Sequence, residues 1–186
     1  LGESGGTSKK LGESGRVQIL PRRSFRDFSQ LREIYFDYNE LEVIESEAFK
    51  EMTNLDHLGL RYNRLKHIHS RVFPNDIDIR VLSLSANYLT FIPKKIMVLV
   101  TVREMGIDGN PWKCSCLDQI LFWLHDTNAT VTKSNKCLGD DVPVCVFPDS
   151  FSRTCREVVE EDVVRIYLQA LRKIDPPLEK YCARLD

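Results

Sequence analysis

The chain has 186 residues, of which 42% are hydrophobic and 28% charged, so it is too apolar for a disordered protein and too charged for a membrane protein. Its 26 basic and 27 acidic residues nearly cancel, which argues against a dedicated nucleic-acid-binding protein. The longest apolar runs, Ile96 to Val100 and Ile120 to Leu124, are far shorter than the roughly 18 residues of a membrane span, so we expect no span in this chain.

Residues 1–15 contain the sequence LGESG twice and few apolar side chains. A glycine- and serine-rich composition of this kind is typical of flexible linkers. We therefore predict a flexible tail or linker over residues 1–15 and assign no function to it.

Residues 16–110 repeat one pattern at a nearly constant period, with units that begin at positions 31, 55, 79 and 102. Each unit has an asparagine, and apolar residues stand three, five and eight positions before it. The aligned asparagines are Asn39, Asn63, Asn87 and Asn110. A weaker half-repeat over residues 17–28 precedes them, which makes about 4.5 repeats.

The apolar-x-apolar pair in each unit predicts a short strand whose apolar side chains share the buried face. The asparagine can bond backbone groups where the chain leaves the strand, so we expect the asparagines to form a ladder. Phe25, Phe49 and Phe73 recur at the same period and predict a second interior stack on the opposite side. One unit cannot bury its apolar face alone, so neighbouring units must stack.

The last repeat continues into the sequence NPWKCSC at 110–116, which is followed by a helical apolar stripe. The stripe consists of Leu117, Ile120, Leu121 and Leu124, with Trp123 beside it. All six cysteines lie at or after Cys114, and their even number favours disulfides and an oxidising compartment. A zinc site would need two ligand pairs at finger-like spacing, and only one CxC is present, so we expect no metal.

Together these motifs resemble the leucine-rich repeat family in its extracellular form, with a cysteine-rich C-terminal cap. The resemblance implies an α/β fold, a right-handed solenoid with parallel strands on its concave face and a disulfide-bonded helical cap. We divide the chain into a tail at 1–15, repeats at 16–110, the cap at 111–155 and a helical extension at 156–186. The resemblance also implies that Trp112 closes the stack and that the protein is secreted or extracellular, with a cell-surface ectodomain as one form.

The family pattern joins the first cap cysteine to the third and the second to the fourth. That implies Cys114–Cys137 and Cys116–Cys155, with Cys145 and Cys182 left to pair with each other. Alternatively, Cys145 supplies the third cap cysteine, and Cys137 then pairs with Cys182. The sequence leaves both arrangements open.

The extension after Cys155 departs from the common family pattern. Thr154 and Glu157 have the spacing of a helix capping box. An amphipathic helix is predicted to follow, ended by Pro176 and Pro177. Its apolar stripe is Val159, Val163, Ile166, Ala170 and Ile174. We favour an enlarged cap packed on the last repeat over a helix offered to a partner.

The resemblance implies that the concave face binds a protein partner, because residues flanking the buried pair of each strand point outward there. The residues that we assign to partner binding are Glu33, Tyr35, Asp37, His57, Arg61, Ser83, Ser85, Glu104 and Asp108. Tyr35, His57 and Arg61 form an aromatic–arginine centre, with acidic residues at both ends of the face. For any single residue the alternative is a solvated side chain. Tyr38 and Tyr62 either line the rim of this face or cover the turn.

Catalysis finds no support, because the sequence contains no GxSxG, HExxH or phosphate-binding loop. We expect no enzyme activity and no cofactor. Asn128, Ala129 and Thr130 form a glycosylation sequon, which makes Asn128 a candidate site for an N-linked glycan.

The sequence therefore predicts a non-enzymatic extracellular protein-binding module, as in receptor ectodomains or soluble innate-immune and adhesion factors. The alternative is a structural component of an extracellular matrix or a larger assembly. The expected partner is a protein ligand or neighbouring subunit, not nucleic acid. No cysteine precedes position 114, so no N-terminal cysteine cap is present in this sequence. We expect further repeats, another chain or the tail to cover the first strand edge.

Overall fold

The computed structural model describes residues 17–133, 144–148 and 152–174, and the backbone of residues 8–10. The elements in chain order are β1 (Ser8–Lys10), β2 (Ile19–Leu20), β3 (Glu33–Tyr35), β4 (Val43–Ile44), β5 (Asn54–Gly59), β6 (Ile77–Ser83), α1 (Lys94–Leu99), β7 (Val100–Gly106), α2 (Cys114–Asp126), β8 (Thr130–Thr132) and α3 (Glu161–Arg172). Among these elements, no helix has the length and apolar character needed to cross a membrane.

Six of the strands form one parallel sheet in the order β1-β3-β5-β6-β7-β8, and β2 and β4 pair in a second, small sheet. In the large sheet Ile34 lies opposite Leu58, Leu58 opposite Leu82, and Leu82 opposite Met105. All four side chains are buried. Parallel strands joined by turns and a short helix, with one continuous apolar interior, make a leucine-rich repeat solenoid, as the repeat pattern predicts.

The asparagine ladder is present and joins each repeat to the one before it. Asn87 is buried; its Oδ1 accepts the Leu65 N–H at 3.0 Å, and its Nδ2 donates to the carbonyl oxygens of Leu60 at 2.9 Å and Leu84 at 3.0 Å. Asn63 and Asn110 make the equivalent bonds one repeat earlier and later. The ladder satisfies backbone groups of the buried turns that have no strand partner.

The phenylalanine stack is also present. The ring centroids of Phe25 and Phe49 are 5.3 Å apart, and those of Phe49 and Phe73 are 5.4 Å apart, with the rings stacked in both pairs. The three rings are buried and fill the interior beneath the turns opposite the sheet. The stack lets consecutive repeats pack at a constant separation.

Part of the tail covers the N-terminal edge, which is one of the three covers that we expected there. Ser8–Lys10 lie within the stretch that we expected to be a flexible tail, yet they form β1 and pair in parallel with Glu33–Tyr35. A strand edge offers unpaired N–H and C=O groups, and β1 satisfies them on one side of β3. Backbone pairing of this kind does not require apolar side chains, which is why composition gave no signal for it.

The cap helix α2 closes the C-terminal end of the stack. Leu117, Ile120, Trp123 and Leu124 are buried, whereas Leu121 is 41% exposed, so the tryptophan takes the place that we assigned to Leu121. Trp112 is buried, and its Nε1 donates to the Ile107 carbonyl oxygen at 2.7 Å. Strand β8 then extends the sheet by pairing with β7.

Two disulfides hold the cap together, Cys114–Cys145 and Cys116–Cys155. The Cys116–Cys155 pairing is as the family resemblance implies. The Cys114–Cys137 pairing is wrong, and the alternative in which Cys145 is the third cap cysteine is the one observed. Backbone bonds explain the choice of Cys145: Val146 donates to the Trp112 carbonyl oxygen at 2.7 Å, and its own carbonyl oxygen accepts the Cys114 N–H at 3.1 Å. These bonds place the neighbouring Cys145 beside Cys114. Cys137 and Cys182 lie outside the described residues.

Helix α3 begins at Glu161, with Glu160 as its N-cap residue, so the capping-box prediction at Thr154 is wrong. The Glu157 side chain instead accepts the backbone N–H of Lys94 at 2.8 Å, at the start of α1. The buried residues of α3 are Val163, Val164, Tyr167 and Leu171, a stripe shifted from the predicted one. Val163, Tyr167 and Leu171 pack with Val146 and Tyr88, which favours an enlarged cap over a free helix.

A buried lysine attaches the extension to the cap, and the sequence analysis missed it. The Lys113 side chain is 2% exposed. Its Nζ donates to the backbone carbonyl oxygens of Arg156 and Val158, the latter at 2.9 Å, and lies 3.3 Å from a carboxylate oxygen of Glu160. A buried ammonium group is stable only when hydrogen-bonded and charge-paired, and these three acceptors provide both conditions.

We expect Asn87→Ala to destabilise the array strongly, because the substitution leaves the buried N–H of Leu65 without its acceptor. It also removes one of the two amide donors to the carbonyl oxygens of Leu60 and Leu84, which keep those of Asn63 and Asn110. The expected loss in the free energy of unfolding is about 3 kcal/mol, measured by urea denaturation. Asn54→Ala serves as the control, because Asn54 is exposed at the start of β5 and should change stability by less than about 0.5 kcal/mol. Equal stability of the two variants would contradict the structural role of the ladder.

We expect Lys113→Met to loosen the extension before the repeats. The loss should be about 3 kcal/mol in the free energy of unfolding, with faster amide hydrogen exchange in α3 than in β5 or β6. Lys66→Met is the matched control, because Lys66 forms only an exposed pair with Glu161, at 3.4 Å, and should cost less than about 1 kcal/mol. Unchanged exchange in α3 would show that Lys113 does not hold the extension.

Candidate partner-binding face

The outward residues of the sheet lie in columns that run across the repeats. Glu33 is opposite His57, and Val81 is opposite both His57 and Glu104. Tyr35, Gly59, Ser83 and Gly106 form the second column in the same way. Asp37, Arg61, Ser85 and Asp108 each follow a strand by two positions and form the third. The predicted site residues therefore share one face, and we refer to it as the concave face.

The centre of this face is an aromatic pair. The rings of Tyr35 and His57 stack with their centroids 4.6 Å apart and an interplanar angle of 28°. Tyr35 lies in the second column and His57 in the first, so the two rings meet diagonally across neighbouring strands. Diagonal neighbours on adjacent strands are within reach of aromatic side chains. Both side chains are half-buried, which leaves part of each ring available for contact.

An ion pair lies beside the aromatic pair. The Nε of Arg61 is 3.0 Å from one carboxylate oxygen of Asp37, and the Arg61 backbone N–H donates to the other oxygen at 3.1 Å. The Arg61 guanidinium carbon also lies 5.6 Å from the Tyr38 ring centroid, within the range of a cation–π contact. These contacts order a side chain that would otherwise be mobile on the surface.

The two tyrosines left open in the sequence analysis form a stack. Tyr38 and Tyr62 have ring centroids 4.6 Å apart and nearly parallel planes. Tyr62 is buried, whereas Tyr38 is 54% exposed and covers it. Because Arg61 contacts Tyr38, the stack is continuous with the ion pair and forms the rim of the concave face.

A glycine beneath the ion pair makes this arrangement possible. A Cβ atom added to Gly59 would stand 2.6 Å from the Oδ1 of Asp37, closer than any normal contact. The carboxylate therefore occupies the space that a side chain at position 59 would take. The repeat pattern alone assigned no role to Gly59. Its place between Tyr35 and Ser83 in the outward column could have given a signal, because both of those neighbours have side chains and Gly59 has none.

The opposite end of the face is organised by Ser85 and Asp108. The hydroxyl of Ser85 donates to the Asp108 carboxylate at 2.6 Å, and Ser85 itself is buried. We predicted that Ser85 contacts a partner, and its burial does not fit that prediction. The Ser85 hydroxyl instead orients the Asp108 carboxylate. Ser83 and Glu104 remain half-buried and accessible on the face.

Burial changes the titration of the central residues. Burial raises the pKa of the Asp37 carboxyl, and the charge and hydrogen bonds of Arg61 oppose the rise. Burial lowers the pKa of His57, and the negative charges of Asp37 and Glu33 oppose that change. Burial also raises the pKa of Tyr35, with a contribution from Glu33. The lowered pKa of His57 favours the neutral form of the imidazole that stacks on Tyr35.

A row of basic residues borders the face and was missed by the sequence analysis. Arg32, Arg80 and Arg103 are exposed and occupy the same repeat position, immediately before the first outward column. Asp56 interrupts the row, and the Nη2 of Arg103 lies 3.7 Å from the Oδ2 of Asp78. The same repeat alignment that defines the strands contains this signal, since the four residues fall in register.

The described residues offer little else for ligand chemistry. No group of three or more histidine, cysteine or acidic side chains within them could hold a metal ion. An interior cavity of about 10 Å³ is lined by apolar side chains, among them Phe49, Phe73 and Trp123. That volume is at the limit for a single water molecule, so this cavity cannot hold a small-molecule ligand.

The fold defines a leucine-rich repeat protein, and comparison with known families agrees. The model of the family described as "Leucine rich repeat" matches residues 13–65 and 53–111, which together span more than half of the chain. The chain belongs to this family.

Among 48 matching chains of solved structures is the crystal structure of a TLR13–ssRNA13 complex, at 22% sequence identity and a TM-score of 0.50. The match covers 64% of this chain but only 17% of that one, and at this identity it shows the fold alone. No curated protein matches the sequence.

We expect His57 to make stability depend on pH. Because burial lowers its pKa in the folded state, the unfolded chain binds the proton first as the pH falls below the ordinary value of 6.5. The stabilisation is therefore fully present above that pH and is lost as the pH falls through the folded-state pKa. NMR titration of the imidazole should give a pKa below 6.5, and His57→Gln should remove this part of the pH dependence of the unfolding free energy.

Asp37→Asn provides the second arm of that experiment. It removes a negative charge that favours the imidazolium form, so the pKa of His57 should fall further than in the unmodified chain. A pKa that rises in Asp37→Asn, or one at or above 6.5 in the unmodified chain, would contradict this account of the site.

Proposed function

We propose that this chain is a non-enzymatic, extracellular module that recognises a protein partner through the concave face. The observation that carries the proposal is the ordered cluster of Tyr35, His57, Asp37 and Arg61 at the centre of that face. Tyrosine and arginine are the residue types that most often dominate protein interfaces. Because stacking and ion pairing already order these side chains, binding would lose little conformational entropy.

The charges of the face support a protein rather than a nucleic acid as the partner. Its outward columns contain four acidic residues, Glu33, Asp37, Glu104 and Asp108, against one arginine that is already paired. A polyanionic strand would be repelled there, because nucleic-acid binding depends on neutralising phosphates with free basic side chains.

Single-stranded RNA is the second candidate partner, and the experiment below tests it as well. The expectation that nucleic acid is not a partner finds no support in the comparison with TLR13, whose solved complex contains single-stranded RNA. The observation that would favour RNA here is the exposed row of Arg32, Arg80 and Arg103 beside the face. The two candidates use different residues, so one set of variants separates them.

The two cap disulfides support an oxidising compartment, and hence an extracellular location. The alternative role, a structural component of a matrix or larger assembly, predicts partners on the convex or edge surfaces instead. Receptor ectodomains and soluble immune or adhesion factors are the forms of the proposed function in which the concave face is accessible. The same variants test this distinction.

The test is affinity capture from native extracellular fluid on the immobilised full chain, with identification of the captured protein and measurement of its affinity. We expect Tyr35→Ala combined with Arg61→Ala to weaken that affinity by at least about tenfold. The control is Phe122→Ala combined with Lys95→Ala, which also removes an exposed aromatic ring and a cation, but from helices α2 and α1. Affinity that is lost in the control and kept in the concave variant would refute the proposed site.

The nucleic-acid arm uses a labelled single-stranded RNA of mixed sequence at physiological salt. We expect no specific binding. Salt-sensitive binding that disappears when Arg32, Arg80 and Arg103 are replaced by glutamine would reject the protein-partner class in favour of RNA.

A further inference from the structure

We propose that Asn128 carries an N-linked glycan and that this glycan shields the outer edge of the large sheet. The inference rests on the extracellular location in the proposed function, but not on the concave face. Asn128-Ala129-Thr130 is the one N-x-Ser/Thr sequence in the chain. It lies in the turn between α2 and β8, so the sequon ends on the first residue of the outermost strand.

The backbone at the sequon presents the side chain to solvent. Asn128 has a positive φ of 54° directly after α2. Its N–H donates to the His125 carbonyl oxygen at 3.1 Å, and the Ala129 N–H donates to that of Leu124 at 2.8 Å. This pair of bonds is a Schellman motif with Asn128 at the residue after the C-cap. The backbone alone forms the motif, and Asn128 is exposed, so its amide is accessible for modification.

The geometry of the helix end explains why asparagine stands at position 128, but it does not explain the threonine at position 130. Asparagine is the most acceptable residue after glycine at this left-handed position. The motif sets no requirement on the residue two positions later. Thr130 is exposed, and its hydroxyl makes only a long bond, 3.3 Å, to the Arg103 carbonyl oxygen. A hydroxyl residue at that position is needed by the sequon.

The surface beside Asn128 is one that needs cover. β8 is the last strand of the described sheet, and none of the described strands pairs with its outer edge. Val131 continues the interior column after Met105 yet is 37% exposed. It lies three positions from Asn128, within about 10 Å along an extended chain. Exposed edges with apolar side chains favour association between chains, and a bulky hydrophilic group blocks it.

The modification itself is a glycosyl transfer with a defined balance. The Nδ2 of Asn128 forms a bond to the anomeric carbon of an oligosaccharide that is carried on a lipid diphosphate. The bond from that carbon to the diphosphate breaks, the lipid diphosphate leaves, and one amide proton passes to a base of the transferring enzyme. The donor and enzyme belong to the secretory pathway, so the step requires that the chain enter it.

The first experiment expresses the full chain in a eukaryotic host behind a secretion signal and measures the intact mass before and after peptide N-glycosidase treatment. We expect the mass of one glycan to be lost and Asn128 to be converted to aspartate, located by peptide mapping. Asn128→Gly and Thr130→Val should carry no glycan, whereas Thr130→Ser should keep it. A secreted, folded chain with an unmodified Asn128 would overturn the proposed site.

The second experiment tests the shielding. Sedimentation velocity over a concentration series compares the glycosylated chain, the natively deglycosylated chain and Asn128→Gly. We expect the last two to self-associate at concentrations at which the glycosylated chain is monomeric. Adding Thr132→Lys to Asn128→Gly should restore the monomer, because a lysine on an edge strand opposes pairing. Equal monomer fractions with and without the glycan would overturn the shielding role.

Two controls keep the outcome clear. Asn128→Gly places the preferred residue at the helix end, so it should melt at or above the temperature of the deglycosylated chain, which has aspartate there. Association of Asn128→Gly then reports on the strand edge and not on a loss of stability. The mass, sedimentation and melting measurements do not involve a binding partner. Tyr35→Ala combined with Arg61→Ala should be glycosylated normally, so a failure of the concave-face proposal leaves this one separately testable.

Discussion

The asparagine ladder is the interaction on which the rest of this structure depends. Each of Asn63, Asn87 and Asn110 accepts an N–H from one turn and donates to carbonyl oxygens of its own repeat and the preceding one. The bonds fix the distance and register between repeats, because a shift of a single position would leave several buried backbone groups unpaired. Side-chain burial alone would allow many spacings; the ladder selects one.

Because the register is fixed, the repeat period of the sequence decides which side chains lie next to each other on the surface. Residues one repeat apart become neighbours, so Tyr35 meets Gly59 across the sheet and Asp37 meets Arg61. The aromatic and ionic contacts of the concave face therefore need no loop to position them, and they lie on rigid strand ends. Gly59 shows how strict the fit is, since any side chain there would displace the Asp37 carboxylate. Such ordering favours the recognition role that we propose, because preordered side chains lose little conformational entropy on binding.

The period also decides what the sequence could predict. The interior columns, the phenylalanine stack and the closing Trp112 all follow from one alignment, and the structure contains them. Features outside the period were missed or left open. Lys113 is buried because it meets carbonyl groups of the distant extension, which the sequence gave no sign of. The partner of Cys114 was left open between Cys137 and Cys145, and Cys145 pairs with it because Val146 bonds the chain beside it. No repeat relates these partners, so the folded chain was needed to identify them.

The two ends of the array also differ in what they do to the concave face. At the C-terminal end the disulfides and the Lys113 contacts hold the cap and its extension together, and α2 closes the stack at the last repeat, three strands away from Tyr35. At the N-terminal end, β1 pairs directly with the strand that carries Tyr35, and Lys10 is its register partner. Whatever occupies that edge fixes the backbone beneath the aromatic pair. The order of the proposed binding centre therefore depends on the N-terminal edge of the sheet more than on the cap, although the cap contains all the covalent cross-links that the structure describes.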